Sequence, residues 1–443
     1  FKVLIPMCAL NVEKGMRLSM NIKPLRVLII VTIFTSVISV GCGIFIYDDM
    51  KEREEVSLNV SNTRKSLIKD EDVLIKIKSN YSNVVKTTKD TKLYINDNGK
   101  YKDAGKINKD NILELESIDN VSLDNKYFKL KDSDYYVSYK DVEYTSDTIN
   151  KRYLNYIEFP LEVTTKENIT YYDDSFNELL SLNIPITSKV VVNLDDYYGI
   201  SLLSRLVYVK KEDVSNTIEV DSSEEMAVSV PAILYHFIYL DGDTSCNDII
   251  CHSERQLDSH FKFLSDNDVF TLNTSEVLSF IKGEINLPKK SILITIDDGA
   301  RAENFIPFLE KYGLNATLFL VSSWYPVSKF QSPYLEIASH THNMHTTGVC
   351  PTGQGGGINC LPESDILNDL KLSRETLNNT KAFCFPFYEY SDYSINLVKE
   401  AGFEMAFIGG STKIKKGIDP YKIPRYPILS SFGVDYISNL VKN

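Results

Sequence analysis

The chain has 443 residues, long for one compact domain, and two or three folded units are expected. Its composition is globular, 43% apolar and 24% charged, with no low-complexity tract. A formal net charge of −12, with no basic patch interleaved with aromatics, argues against an extended phosphate backbone, so no nucleic acid partner is expected.

The first strong signal is "VLIIVTIFTSVISVGCGIFIY", Val27 to Tyr47, 21 residues without a charge. At about 1.5 Å per residue such a helix crosses a bilayer core of about 30 Å. Lys14, Arg17, Lys23 and Arg26 precede it, and Asp48 and Asp49 follow. The positive-inside rule then predicts a cytoplasmic segment over 1–26, a single transmembrane anchor over 27–47, and everything later outside the cell membrane. A cleaved signal peptide is the rival reading, although the apolar run is long for one. Lipid attachment at Cys42 is weaker, because Ser39-Val40-Gly41 lacks the usual aliphatic residue three before the cysteine. Met16 and Met20 are both candidates for the biological start.

Residues 48–90 read as a polar stalk, and 91–225 as a β-rich region in which β-prone runs alternate with Asp, Asn and Gly. "YVSYKDV" (Tyr136–Val142) lines up with "YVKKEDV" (Tyr208–Val214), a repeat of about seventy residues that indicates two modules and not a solenoid. This strand ending resembles the last strand of bacterial SH3-like cell-wall-binding modules. The alternative is a β-rich spacer.

From 226 to 443 strands and helices alternate. "AILYHFI", "KSILITIDDG", "NATLFLV", "YLEIAS", "KAFCFPF" and "FEMAFIG" read as strands. "SERQLDSHFKFLSDND", "SEVLSFIKG", "AENFIPFLEKYG", "ESDILNDLKLSRETLNN" (with Ser364 as N-cap) and "SDYSINLVKEAG" read as helices. The pattern predicts a parallel sheet or a barrel, with chemistry at the C-terminal ends of the strands. Cys246 and Cys251 are close in sequence, as are Cys350 and Cys360, and each pair would suit an oxidising compartment; four free thiols are the other reading.

Two strands end in chemically loaded residues. "ILITI" runs into Asp297-Asp298-Gly299, which is either good turn chemistry or a carboxylate pair whose repulsion a cation relieves. "YLEIAS" runs into His340, His342 and His345, half of the chain's six histidines. Asp298 with two of these three supplies the three protein ligands of a catalytic metal, zinc or another borderline divalent ion. Periodicity leaves open which two. His340 and His342 share a face on a strand, and His342 and His345 are neighbours on a helix; His340 and His345 meet only if the chain turns.

"ILITIDDGARAENFIPFLEKYGLNATLFL" followed by "EIASHTHNMH" resembles the polysaccharide deacetylases, the NodB-homology or carbohydrate esterase family 4 domain. "VPAILYHFI" and "LPKKSILITIDDG" are similar to the branch that includes poly-N-acetylglucosamine deacetylases. The resemblance covers roughly 228–430. It implies a deformed (β/α) barrel, with Asp297 as general base and Asp298 as metal ligand. The branch's histidine spacing points to His340 and His345 as the other ligands and leaves His342 aside. The implied cofactor is a divalent metal, zinc first, with cobalt or nickel as alternatives. Two departures stand out. The third motif usually opens with an arginine, but here reads Cys384-Phe385-Pro386-Phe387-Tyr388; Arg425 in "IPRYPI" is the candidate replacement. The late histidine that often serves as general acid is missing, and His236 is the candidate to line the same mouth. His252 and His260 are expected at the surface.

The expectation is a membrane-anchored, extracellular, metal-dependent N-deacetylase, a hydrolase of linear amides. It would act on GlcNAc residues of peptidoglycan or a related surface polysaccharide. The alternatives are an inactive glycan-binding wall protein and an O-acetyl esterase.

Overall fold

The computed structural model describes residues 83–117, 126–221, 225–243, 245–246 and 248–442. The expected anchor at 27–47, the segment before it and the stalk up to 82 lie outside the described residues. No helix among the described residues is long and apolar enough to cross a membrane.

The β-rich region begins earlier than expected. Val84–Thr87 is already a strand, paired with Ile112–Glu114 and Val142–Tyr144, so the stalk does not reach residue 90. Two sets of seven strands follow the same plan, from Val84–Thr87 to Val142–Tyr144 and from Leu161–Thr165 to Val214–Glu219. In each, the first strand lies between the fourth and seventh, and the second between the third and sixth. A 3-10 turn precedes each last strand, Tyr139–Asp141 and Lys211–Asp213. The sequence repeat is this corner: strand, tight turn, strand. The third strands of the two sets pair with each other, Gly105 opposite Leu182. Gly105 has φ +146, and a Cβ there would lie 2.0 Å from the Ser181 carbonyl oxygen, so only glycine allows the approach.

The sets also share aromatic positions. Tyr94 pairs with Tyr136, as Tyr172 pairs with Tyr208. Tyr127 stands opposite Ser138, as Tyr197 stands opposite Lys210. The rings of Tyr101 and Tyr127 stack at 3.9 Å, and Phe176 packs on Tyr197 at 4.9 Å.

The C-terminal part is a closed ring of seven parallel strands in chain order. They are β1 (Ala232–Tyr235), β2 (Ser291–Asp298), β3 (Ala316–Leu320), β4 (Leu335–Ser339), β5 (Ala382–Cys384), β6 (Met405–Gly409) and β7 (Ile423–Pro427). Between β1 and β2 lie α1 (Glu254–Asp266) and α2 (Thr274–Lys282). The connections after β2, β4 and β5 carry α3 (Ile306–Tyr312), α4 (Glu363–Thr376) and α5 (Asp392–Glu400), and α6 (Val434–Lys442) follows β7. Only a 3-10 turn, Val327–Lys329, lies between β3 and β4, which makes the barrel irregular. The expected helix at Glu363 starts on Pro362, not on a Ser364 cap; the Ser364 hydroxyl bonds Asp365 Oδ1 instead.

Period-two alternation sorts the strands. Ile292, Ile294 and Ile296 face outward and pack on Leu257, Phe261 and Leu309 of the helices. Leu293 faces inward with Phe319, Ala338, Ala382, Cys384, Phe407 and Ile423. That inner core runs on into the β-rich region through Tyr153, Val191 and Val192, so the boundary expected at 225/226 separates no cores. Ile157 and Val192 also bridge to Asn286 and Ile285, in the segment entering β2 from its N-terminal end.

Candidate active site and metal centre

The inward register of β2 continues from Leu293 through Thr295 to Asp297, which is 2% exposed. The same register on β7 carries Ile423 inward and hence Arg425, which is fully buried. Their side chains meet across the barrel in a two-pronged ion pair: Arg425 Nη1 donates to Asp297 Oδ1 at 2.6 Å and Nη2 to Oδ2 at 2.9 Å. Arg425 also donates to Thr295 Oγ1 at 3.2 Å and lies over the Phe319 ring at 5.2 Å. The third motif's missing arginine is thus matched by one arriving from β7. The small Cys384 leaves room for it, its sulfur 2.8 Å from Arg425 Nη2. Gly409, opposite Arg425 in the ladder, is a second concession to space, since a Cβ there would meet the Tyr388 ring at 2.7 Å.

Asp298 breaks the alternation. Its φ of +74 is left-handed, and so is that of Thr341 just after β4, φ +76. The two irregular strand ends bring separate segments to one point. His340 continues the inward face of Ala338, and its Nδ1 lies 2.8 Å from the Cys384 carbonyl oxygen. With Nδ1–H donating there, Nε2 presents its lone pair to the mouth. After Thr341 the chain turns back. The Asp369 carboxylate on α4 accepts from the His342 and Asn343 backbone at 2.7 Å each, and Met344 is buried beneath the turn. His345 is thereby folded over His340, with ring centroids 4.7 Å apart. Asp298 Oδ1 is 3.2 Å from His345 Nε2 and 3.5 Å from His340 Nε2. His342 points elsewhere, its Nδ1 2.9 Å from Ser322 Oγ.

The residues fit a metal ion. One ligand atom from each of Asp298, His340 and His345 lies within 4.8 Å of the others, and Asp298 Oδ1 is buried without a hydrogen-bond partner. A buried, unsatisfied carboxylate oxygen facing two imidazole nitrogens is poorly solvated by protein alone, and a divalent cation supplies what is missing. Asp297, His340 and Cys384 form a second close group, but the Arg425 guanidinium against that sulfur disfavours a cation there.

The charges are strongly coupled. Burial pushes the Asp297 carboxyl up, but the Arg425 guanidinium, then His340, outweigh it and hold it below the usual carboxylate value. Burial likewise opposes ionisation of Asp298, yet His340 and His345 bring it down to about 2. Burial disfavours the His340 cation, and its neighbours Cys384, Asp297 and Asp298 reverse that. His345 falls to about 4 through burial and the nearby His340. Burial raises the Cys384 thiol.

His236 follows β1 at the same end and is half-buried. His252 and His260 are not at the surface as expected. His252 is buried with Nε2 2.9 Å from the Ile428 carbonyl oxygen, and His260 is buried with Nδ1 3.0 Å from the Tyr235 hydroxyl. Each lies inside the α1 packing, where periodicity alone does not distinguish a satisfied histidine from an exposed one. The rim carries residues that sequence reasoning passed over. Trp324, the single tryptophan, is 43% exposed and 5.3 Å from the His345 ring, and Phe387 lies 4.4 Å from it. Trp324 follows strand β3, so its place just past a strand end was the available signal. Cys350 and Cys360 are paired in the loop after His345, as are Cys246 and Cys251 after β1.

Fold and site geometry agree with the resemblance read from the sequence. Residues 284–406 match the family model of polysaccharide deacetylases. The resemblance to NodB-type deacetylases near the poly-N-acetylglucosamine branch therefore holds. The poly-beta-1,6-N-acetyl-D-glucosamine N-deacetylase of Staphylococcus aureus is 25% identical over 214 residues, covering 43% of this chain and 72% of that protein. Among solved structures, a de-N-acetylase from Aggregatibacter actinomycetemcomitans is 22% identical with a TM-score of 0.41, covering 48% of this chain and 99% of that one. A polysaccharide deacetylase from Bacillus cereus is 17% identical with a TM-score of 0.42, covering 68% and 94% respectively.

Proposed function

We propose that the chain is a metal-dependent N-deacetylase of a GlcNAc-containing surface polysaccharide, with Asp297 as general base and Asp298, His340 and His345 as metal ligands. The observation that carries the reading is the orphaned Asp298 Oδ1 between two imidazoles, next to a carboxylate held apart by Arg425. A bound divalent ion, zinc first among candidates, would polarise the acetamide carbonyl and acidify a water.

The chain's own groups supply the rest. Arg425 keeps Asp297 ionised at neutral pH and fixes its plane, so the carboxylate stands ready to accept a proton from the attacking water. Arg425 is a positioning residue in this scheme. His236, at the same end of the barrel, is the candidate to protonate the leaving amine, with return of the proton from Asp297 as the alternative. Trp324 and Phe387 offer flat faces for sugar rings beside His345. The products are acetate and a glucosamine unit that is cationic at neutral pH.

The poly-N-acetylglucosamine relative favours that polymer over peptidoglycan as substrate. The apolar run at 27–47 and the two repeated β-modules, read as SH3-like, support an anchored enzyme working outside the membrane. Acetate release from each polymer, with and without a chelator, tests the reading. Release from poly-N-acetylglucosamine that is abolished by chelation and restored by zinc supports it; release that ignores chelation contradicts it.

A further inference from the structure

At the end of the barrel away from this mouth, the β-modules and α2 enclose a cleft of about 490 Å³. Its least satisfied group is Arg205. The Nε is buried without an acceptor, Nη1 reaches only Asn111 Oδ1 at 3.3 Å, and no carboxylate pairs with it among the described residues. The backbone that carries it is fixed just before Arg205. Leu203 and Ser204 form a turn with φ +54 and +58, and Ser204 Oγ donates to Asp132 Oδ2 of the first module at 2.8 Å.

The other charges in the cleft limit what binds. Glu276 is already matched, by Arg152 Nε and Nη2 at 2.7 and 2.6 Å and by the Tyr156 hydroxyl at 3.0 Å. Asp173 accepts from the Ser175 and Asn177 backbone. Asp174 lines the rim, exposed, with its charge felt by Tyr208. These carboxylates repel an anion, and Arg205 repels a cation. A neutral ligand with hydroxyls and amide groups satisfies both, donating to Asp174 and accepting from Arg205. The half-buried Tyr208 ring, one of the aromatic positions repeated between the modules, adds a flat face for a pyranose.

We propose that this cleft is a second saccharide site, which takes uncleaved N-acetylhexosamine units of the polymer and tethers the enzyme to it. The proposal rests on the polysaccharide reading of the active site and adds a site on the opposite end of the barrel, where no acetyl group is removed.

The test is calorimetric titration of the full chain carrying Asp297→Asn with a β-1,6-linked N-acetylglucosamine tetramer, and separately with inorganic phosphate. Arg205→Gln, and independently the rim substitution Asp174→Asn, are expected to weaken one tetramer-binding event about tenfold or more. In chains with Asp297 intact, both should leave acetate release from the free tetramer unchanged but lower release from the insoluble polymer. Tetramer binding indifferent to both substitutions, or phosphate binding that displaces the tetramer, overturns the proposal. Acetate release without Arg205-dependent binding sinks the cleft alone. Arg205-dependent binding without any acetate release sinks the deacetylase reading and leaves the cleft standing.

Discussion

The two ends of the barrel are built by opposite rules. At the N-terminal end, buried polar groups are matched. Glu276 takes Arg152, Tyr156 and its own capping-box backbone, and Glu336 takes Thr274 and Thr317. At the C-terminal end, Asp298 and Thr341 have left-handed backbones, two carboxylates sit side by side, and Asp298 Oδ1 is buried with no partner. Strain and unmet polarity persist only where something over-determines them, and the concentration of both at one mouth is itself a pointer to chemistry. Arg205 Nε and Asn193 Oδ1 are exceptions at the N-terminal end.

The contrast can be broken by substitution. Arg425→Gln should be the most damaging change to stability, about 3–5 kcal/mol, because it leaves the Asp297 charge buried and unpaired; denaturant unfolding reads it. Asp297→Asn leaves the buried Arg425 charge unpaired and should also cost stability, while lowering acetate release per folded chain about a thousandfold; a loss under about tenfold would remove Asp297 from the base role. At the matched end, Glu276→Gln should cost about 1–3 kcal/mol in the same unfolding measurement and leave the rate per folded chain unchanged.

A fourth check uses pH. His260 is held neutral by burial, with a pKa of about 4 in the folded chain against about 6.5 unfolded. The folded state therefore binds fewer protons between about pH 4 and 6.5. Its contribution is fully present above that window and is lost as pH falls through it. His260→Gln should flatten the dependence of Tm on pH there, with a residual slope from the similarly depressed His252. The smallest effect is expected from the exposed Lys262–Asp266 pair, whose removal should leave Tm unchanged within error.

Much of this contrast was legible in the residues because periods of two and 3.6 leave marks. The strand "SILITIDD" and the Gly283 and Gly313 stops of α2 and α3 follow local rules, whereas the cap read at Ser364 is displaced to Pro362. Short strands were harder. Phe270–Leu272 carries too few residues to show a period, and β7, "IPRYP", is interrupted by Pro424 and Pro427, which argue against a strand. The number of strands in the ring is set by long-range pairing and leaves no local trace. The meeting of His340 with His345 was open for the same reason: it depends on a turn after Thr341 that Asp369, 27 residues on from His342, holds from another helix. The partnership of Arg425 with Asp297 spans 128 residues, and only the missing motif arginine hinted at it.

Anomalous diffraction from a crystal grown with zinc would examine the central geometry most directly. The expected map has one peak about 2.0–2.2 Å from Asp298 Oδ1, His340 Nε2 and His345 Nε2, with Asp297 still paired to Arg425 and outside the coordination sphere. No peak at that point, or one that recruits Asp297 or Cys384 in place of His345, would contradict the assignment of base and ligands.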